Sequence, residues 1–187
     1  TISQRVNRAL DGMAAAFRPV GPGGSLKQVS VENARLAVVD EKTGARWTSN
    51  DAKFAMQRDK TALSLSASAS LNGAEGAAPF TAQVKTDTRF QSAAVAVTIA
   101  NARPQALLPS LGGLQSLTTP ITLKIDAGLD RKAGITRLDG DARIGQGVLN
   151  SGGGTLQISG GRLTGRYDLA ADTLYVNELA VSGAKTS

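Results

Sequence analysis

The chain has 187 residues, of which 41% are apolar but only 4% aromatic, so a thick aromatic core is excluded. It contains no cysteine and no histidine, which excludes disulfides, thiolate or imidazole catalysis and the usual zinc sites. The formal charge is +6, but the basic residues form no run and no aromatics lie among them, so we expect no nucleic-acid partner.

The first predicted element is an amphipathic helix over residues 1–18, followed by a Pro- and Gly-rich linker at residues 19–24. Five apolar side chains recur at helical spacing on one face of this helix: Ile2, Val6, Leu10, Met13 and Phe17. We favour a helix docked on a sheet over a cap at the end of a sheet or a membrane-surface helix, because three arginines make a weak polar face for membrane binding.

Residues 25–102 predict a first β-sheet unit whose strands have one apolar face. In residues 61–71, Leu63 and Leu65 begin an apolar row that alternates with serine, which is the period of two of a half-buried strand. Residues 90–100 repeat this parity, and the apolar row there contains Val95, Val97 and Ile99. At about 3.3 Å per residue such strands are roughly 30 Å long. The unit is therefore built on long, one-sided strands.

The other strands of the first unit have weaker patterns. The sequence predicts them at residues 27–31, 34–40, 45–56 with an interruption around Ser49-Asn50, and 80–86. A hairpin connection is expected at residues 40–44, where Gly44 suits a positive φ angle. We predict a soft loop at residues 72–79.

A helical crossover is predicted at residues 103–119. Pro104 can occupy the first position of a helix, but Pro109 and the Gly112-Gly113 pair prevent a continuous helix, so we expect a short broken one.

Residues 120–187 predict a second β-sheet unit. Its first strand, residues 120–130, carries the apolar row Ile121, Leu123, Ile125 and Leu129. Further elements are predicted as a hairpin partner at 134–145, short strands around Val148, Leu156 and Ile158, and a last hairpin of 162–169 with 173–182.

Candidate catalytic groups are thinly spread in this chain. Asp139 and Asp141 flank Gly140, and Glu178 lies near Tyr175, but carboxylates at strand spacing are more typical of a solvated strand face than of a general acid and base. The Gly-rich segments 151–154 and 159–161 lack the Lys-Ser/Thr and the following helix of a phosphate-binding loop. We expect no enzyme, no catalytic residue, no metal site and no cofactor.

Several features follow one another in an order that resembles a known family. They are residues 31–40 (VENARLAVVD), the Thr43-Gly44 turn with Trp47 behind it, the break at Pro104 with Leu107, Leu108, Leu114 and Leu117, the restart at Pro120, and the closing hairpin with Tyr167, Leu174 and Leu179. Over residues 25–182 this order resembles the AsmA-like and TamB-related envelope proteins of Gram-negative bacteria.

The resemblance implies a passive, non-catalytic role in lipid transfer. It implies a full-length protein anchored to the inner membrane and crossing the periplasm, of which this chain is an internal section. Such a protein conducts phospholipid between the inner and outer membranes along a hydrophobic β-groove. The implied partners are phospholipid acyl chains and the adjoining β-groove repeats of the same chain.

The alternating rows agree with this implication on physical grounds, because a long apolar face cannot stay fully exposed to water. Either the sheet folds on itself or lipid tails fill the trough, and the resemblance favours the second. We therefore expect a mainly β fold, a long twisted antiparallel meander curled into an open hydrophobic groove, with an N-terminal helix and a short broken helix at the crossover. The predicted lining residues are Leu63, Leu65, Val95, Val97, Ile99, Ile121, Leu123, Ile125 and Leu129.

Two alternative all-β architectures fit the sequence less well. The Gly-, Ser- and Thr-rich residues 151–165 suggest an adhesin-like or passenger-like β-solenoid that binds no ligand, but no period of 20 to 30 residues recurs. An outer-membrane barrel fits the strand length and alternation, but it needs aromatic girdles that one Trp, two Tyr and four Phe do not supply.

Overall fold

The computed structural model of the chain describes residues 2–17, 26–39, 44–73, 76–104, 118–151, 154–169 and 171–185. Within these ranges the chain forms one helix and ten strands, in the order α1 (Ile2–Phe17), β1 (Gln28–Val39), β2 (Arg46–Arg58), β3 (Ala62–Gly73), β4 (Gly76–Asp87), β5 (Ser92–Ala102), β6 (Ile121–Asp130), β7 (Gly134–Ile144), β8 (Gly147–Ser151), β9 (Gly154–Asp168) and β10 (Thr173–Lys185).

All ten strands belong to one antiparallel sheet. The order across it is β1-β2-β3-β4-β5-β6-β7-β9-β10, and β8 pairs with β9. β5 pairs directly with β6, so strands from residues 25–102 and from residues 120–187 join in this sheet. The sheet is open, with β1 and β10 as its edges in the described part of the chain. The predicted mainly β antiparallel meander with an N-terminal helix is confirmed.

The register of the strands places their apolar rows on the same side of the sheet. Leu65 lies opposite Val84, which lies opposite Val95, and the row continues through Ala127 to Leu138. Residues directly opposite each other on antiparallel strands point to the same face. We call this side the apolar face and the other side the polar face.

The helix α1 packs on the apolar face near one end of the strands, which we call the lower end. The β2–β3, β4–β5 and β6–β7 turns lie at this end. Ala14 packs with Met56, Leu63 and Phe90 in one buried cluster, and Leu10 packs with Ala93 in a second. These contacts bury Leu10, Met56 and Leu63 completely, and they confirm a helix that docks on the sheet.

The turns at the lower end are fixed by three aspartates. Asp59 accepts hydrogen bonds from the backbone N–H groups of Thr61 and Ala62, both at 2.7 Å. Asp87 and Asp130 accept equivalent bonds in their own turns. Carboxylates in such positions pre-form the turn by satisfying donors that the strands leave unpaired.

Hydrogen bonds to the charged form lower the pKa of each of these carboxyls. For Asp59 the main cause is the bond from the Thr61 backbone, and for Asp130 it is the bond from Ala133. Partial burial acts to raise the pKa of Asp87, but the donors from Ser92, Gln91 and Arg89 outweigh it, so this pKa is also lowered.

Four strand predictions differ from the structure. β2 is not interrupted around Ser49-Asn50, because Thr48 and Ser49 pair with Ala37 and Leu36 of β1. β1 is one bulged strand and not two, because Asn33 adopts a φ of 54° and the ladder resumes after it. The loop predicted at 72–79 is wrong for residues 72–73 and 76–79, which lie in β3 and β4, since Asn72 pairs with Ala77 and Gly73 with Gly76. Gly160 and Gly161 lie inside β9 and do not interrupt it, because both pair with Val181 or Ser182 of β10.

Three predicted segments lie mainly outside the described residues. The hairpin connection at 40–44 falls on residues 40–43, apart from Gly44. The broken helix at 103–119 falls largely on residues 105–117, and the linker at 19–24 falls on residues 18–25. Among the described residues, no helix has the length and apolar character of a membrane span.

Candidate functional site

The apolar face brings together all nine residues predicted to line a groove. Their strands are neighbours in the sheet, and Val95, Val97 and Ile99 lie beside Ala127, Ile125 and Leu123 in consecutive pairs. Eight of the nine are half-buried, and Leu63 is fully buried beneath α1. Leu65 and Leu129 also pack against the two clusters that include α1. In the described part of the chain, the members that α1 leaves uncovered are Val95, Val97, Ile99, Ile121, Leu123 and Ile125.

A groove of about 280 Å³ opens on the apolar face over β6, β7, β9 and β10. Its volume is close to the lower limit of roughly 300 Å³ for typical ligand pockets. The side chains that line it are apolar: Leu123, Ile125, Leu138, Ala142, Leu163, Tyr167, Leu174 and Val176. Two of these, Leu123 and Ile125, are among the residues predicted from the sequence. Asp139 and Asp141, which flank Gly140 on β7, also border it, but by strand alternation their side chains belong to the other face.

Two glycines create the depth of the groove. Gly140 on β7 lies opposite Ile125 on one side and Gly165 on the other, and Gly165 lies opposite Val176. A Cβ atom built on Gly140 has no other atom within 4 Å, so its missing side chain leaves open space above the backbone. A Cβ atom on Gly165 falls 2.9 Å from the carbonyl oxygen of Tyr175. The floor of the groove is therefore backbone, and its walls are aliphatic.

The wall on the β10 side is the most exposed part of the groove. The side chains of Leu174 and Val176 are 63% and 53% exposed, which is high for aliphatic residues that face a sheet interior. Tyr167 lies across from Leu174 on β9 and donates its hydroxyl hydrogen bond to Asp172 in the following turn. That bond points the phenol towards the turn and leaves its ring to line the groove.

The polar face carries ion pairs in place of apolar rows. Arg162 of β9 contacts Asp141 of β7 at 2.9 Å and Glu178 of β10 at 3.3 Å, and so it links three strands. The bond from Arg162 is the main cause that lowers the pKa of Asp141. Asp139 is paired with Arg137. Asp139 and Asp141 thus lie on the solvated face, opposite to the groove that Gly140 helps to form.

The sequence reasoning missed the β7, β9 and β10 contributions to the groove. Glycines carry no hydropathy signal, and Gly140 and Gly165 break the apolar rows in which they stand. One pattern in the sequence could have predicted the β7 contribution. Asp139, Asp141 and Arg143 alternate along the strand, which places residues 138, 140 and 142 on the opposite, apolar face.

The groove offers burial of apolar surface but little chemistry. Among the described residues, no three His, Cys, Asp or Glu side chains are close enough to hold a metal ion. The arrangement can remove an apolar molecule from water, and its aliphatic walls supply no directional contacts that fix the position of such a molecule.

Comparisons with protein families, with curated proteins and with solved structures find no match for this chain.

Proposed function

We propose that this chain is a section of a lipid-conducting β-groove of the AsmA-like and TamB-related type, in which phospholipid acyl chains slide along the apolar face. The observation that carries the proposal is the shared side of the apolar rows. From β3 to β7 the apolar rows lie opposite one another without a change of face, as the series Leu65, Val84, Val95, Ala127 and Leu138 shows. In the described part of the chain, α1 alone packs on this face as a second layer.

An uncovered apolar face of this kind is favourable for acyl chains and costly in water. Each methylene that leaves water contributes about 0.8 kcal/mol. Val97 and Ile125, which are opposite each other near the middle of the sheet, remain half-exposed. Because such contacts are non-directional, a chain can be held firmly and still slide over the apolar face.

The two edges of the sheet are suited to adjoining β-groove repeats. β10 has 13 residues and pairs with β9, and no other described strand pairs with it. Its apolar residues are unusually exposed, with Leu179 at 71%. An edge with free backbone groups and an exposed apolar row is a template for a further strand.

The proposed setting is the periplasm, in a full-length protein anchored to the inner membrane. The resemblance of residues 25–182 to envelope proteins supports this setting. The net charge of +6 is compatible with anionic phospholipid headgroups. The alternative of an adhesin-like β-solenoid receives less support, since all strand pairs described are antiparallel and not the parallel pairs of stacked coils.

The experiment is to extract lipid from the purified protein into organic solvent and to quantify it by mass spectrometry. Wild-type protein is expected to carry phospholipid, and Val97→Asp is expected to carry much less, because a charge on the apolar face disfavours acyl chains. Thr98→Asp is the matched control. Thr98 is the next residue on β5 but lies on the polar face opposite Lys124, where a carboxylate is well accommodated.

Circular dichroism of both variants verifies that the sheet is intact. Equal amounts of lipid in wild type and Val97→Asp contradict the proposal, as does a wild-type protein that is free of lipid after expression in a Gram-negative host.

A further inference from the structure

The helix α1 occupies the same apolar face that forms the groove. Leu10 is fully buried in a cluster with Ala93, against which Leu129 packs. Ala14 packs with Met56 and Leu63. Three of these sheet residues lie side by side across the sheet: Leu63 on β3, Ala93 on β5 and Leu129 on β6. Thr86 of β4 lies between Leu63 and Ala93. The lower end of the apolar rows is thus covered by a segment of the protein itself.

The length of α1 matches the width of the sheet that it covers. Sixteen residues at 1.5 Å each make a helix of about 24 Å. Five spacings of about 4.8 Å separate six neighbouring strands, which is also about 24 Å. The contacts of α1 agree with this span, since Phe17 at its end meets Arg58 of β2 and α1 also contacts β7. The helix therefore crosses the strands and closes the lower end from β2 to β7.

Polar contacts hold α1 at two points. Asp11 forms an ion pair of 2.8 Å with Arg131 in the β6–β7 turn, and the carbonyl of Phe17 accepts a hydrogen bond from the Arg58 guanidinium. The backbone N–H of Arg131 donates to Gln91 at 2.8 Å, so the turn that carries the arginine is fixed independently of the helix. The side chain of Asp11 is 60% exposed, which makes this ion pair sensitive to salt.

We propose that α1 is a removable plug, which closes the lower end of the apolar face and competes with acyl chains for it. This inference rests on the proposed lipid-binding function. While α1 is docked, Leu63 and Ala93 are out of reach of a ligand, and an acyl chain in the groove ends against the helix. When α1 leaves, Leu63, Ala93 and the neighbouring part of the rows become accessible.

The test compares the binding of free oleate, below its micellar concentration, to variants with α1 docked and undocked. Leu10→Asp places a charge in the buried contact, and Asp11→Arg sets two like charges against each other at Arg131. Both are expected to raise oleate affinity by about fivefold or more, in the usual range of coupling between linked equilibria. Equilibrium dialysis of the complete protein measures the affinity.

Two controls separate undocking from charge and from misfolding. Ala15→Asp adds the same charge as Leu10→Asp on an exposed side of α1 and is expected to leave oleate affinity unchanged. Leu10→Asp lowers the net charge and Asp11→Arg raises it, so a rise of affinity in both is not an effect of charge on the oleate anion. Hydrogen exchange is expected to accelerate in α1 and to stay slow in β3 to β6. The charge swap Asp11→Arg with Arg131→Asp is expected to restore slow exchange and wild-type affinity.

The outcomes distinguish the plug from the groove. Increased oleate binding by both undocked variants supports both proposals. Equal binding by wild type and by variants whose α1 exchanges rapidly overturns the plug and leaves the groove standing. A complete lack of oleate binding by wild type and variants overturns the groove, and the plug with it.

Discussion

Gly140 and Gly165 lie directly opposite each other on β7 and β9, and together they leave the apolar face without a side chain between Ile125 and Val176. The groove on this face lies where two neighbouring strands both lack a side chain. The volume of the groove therefore depends on these two glycines, since any substitution there adds a side chain. The two positions differ in what a new side chain would meet, which makes them a matched pair for experiment.

Gly140→Leu is expected to fill the groove and reduce bound phospholipid while leaving the fold intact. The backbone of Gly140 is not in the left-handed region, and a Cβ atom there meets nothing within 4 Å. Lipid extraction with mass spectrometry measures the bound amount, and thermal unfolding verifies the fold. Unchanged lipid content in a folded Gly140→Leu protein would show that acyl chains do not occupy this groove.

Gly165→Leu, in contrast, is expected to destabilise the protein. Its Cβ atom falls 2.9 Å from the Tyr175 carbonyl, which belongs to the paired β10 backbone and cannot move aside without disturbing the ladder. Overpacking of this kind typically costs about 1–3 kcal/mol of the free energy of unfolding. Urea denaturation measures the difference, and equal stability of the two glycine variants would contradict the distinction.

Leu63→Ala is expected to be far more destabilising than Leu179→Ala, although both leucines belong to the apolar face. Leu63 is fully buried beneath α1, and truncation of such a leucine costs about 2–5 kcal/mol. Leu179 is 71% exposed, so its truncation is expected to change the free energy of unfolding by less than about 0.5 kcal/mol. Similar midpoints of urea denaturation for the two variants would refute the burial assigned to α1.

The stability of the protein is expected to fall on acidification below about pH 4, close to the ordinary pKa of an aspartate. Asp59, Asp87 and Asp130 have pKa values that are lower in the folded state than in the unfolded chain. Their contribution is therefore complete above the unfolded pKa and is lost as the pH decreases through the folded pKa.

A triple variant of Asp59, Asp87 and Asp130 to asparagine tests the origin of this pH dependence. Asparagine keeps an acceptor oxygen for the turn N–H groups but does not titrate. The free energy of unfolding of this variant is expected to depend less steeply on pH between about 2 and 5. A slope identical to that of wild type would assign the acid sensitivity to other carboxyls, such as Asp141.

Arg162→Met is expected to loosen the β10 edge in a salt-dependent manner. The substitution removes the contacts to Asp141 and Glu178 but keeps an unbranched side chain on β9. Hydrogen exchange of β10 is expected to accelerate at low salt. The difference from wild type should disappear near 1 M salt, where the screening length is about 3 Å. A difference that persists at high salt would indicate a packing effect of Arg162 instead.

The strongly alternating strands were the predictable part of the fold. β3 and β6 show strict alternation of apolar and polar residues, so their existence and their faces follow from the sequence. The confirmed antiparallel meander follows from several such strands joined by short turns. The N-terminal helix was predictable because Leu10, Met13 and Phe17 keep helical spacing.

The failures have a common physical origin in small residues. Residues 76–79 were predicted as a loop because Gly, Ala and Pro give little strand signal, yet cross-strand pairing with β3 holds Ala77 and Ala78 in the ladder. Gly140 and Gly165 were not predicted as groove residues for the same reason, although they shape the groove. The register that sets these glycines beside each other comes from pairing between strands, which no local pattern encodes.

The strand order carries an arithmetic consequence for larger assemblies. In the described residues, the path from β1 to β10 passes through nine strands, each antiparallel to its neighbours. Because nine is odd, the first and last strands run in the same direction. A chain that turns back after β10 adds a strand that is antiparallel to β10. An identical sheet placed beside β10 in the same orientation would instead pair its own β1 in parallel with β10. A filament of like units must therefore invert every second unit or change the type of pairing at each junction.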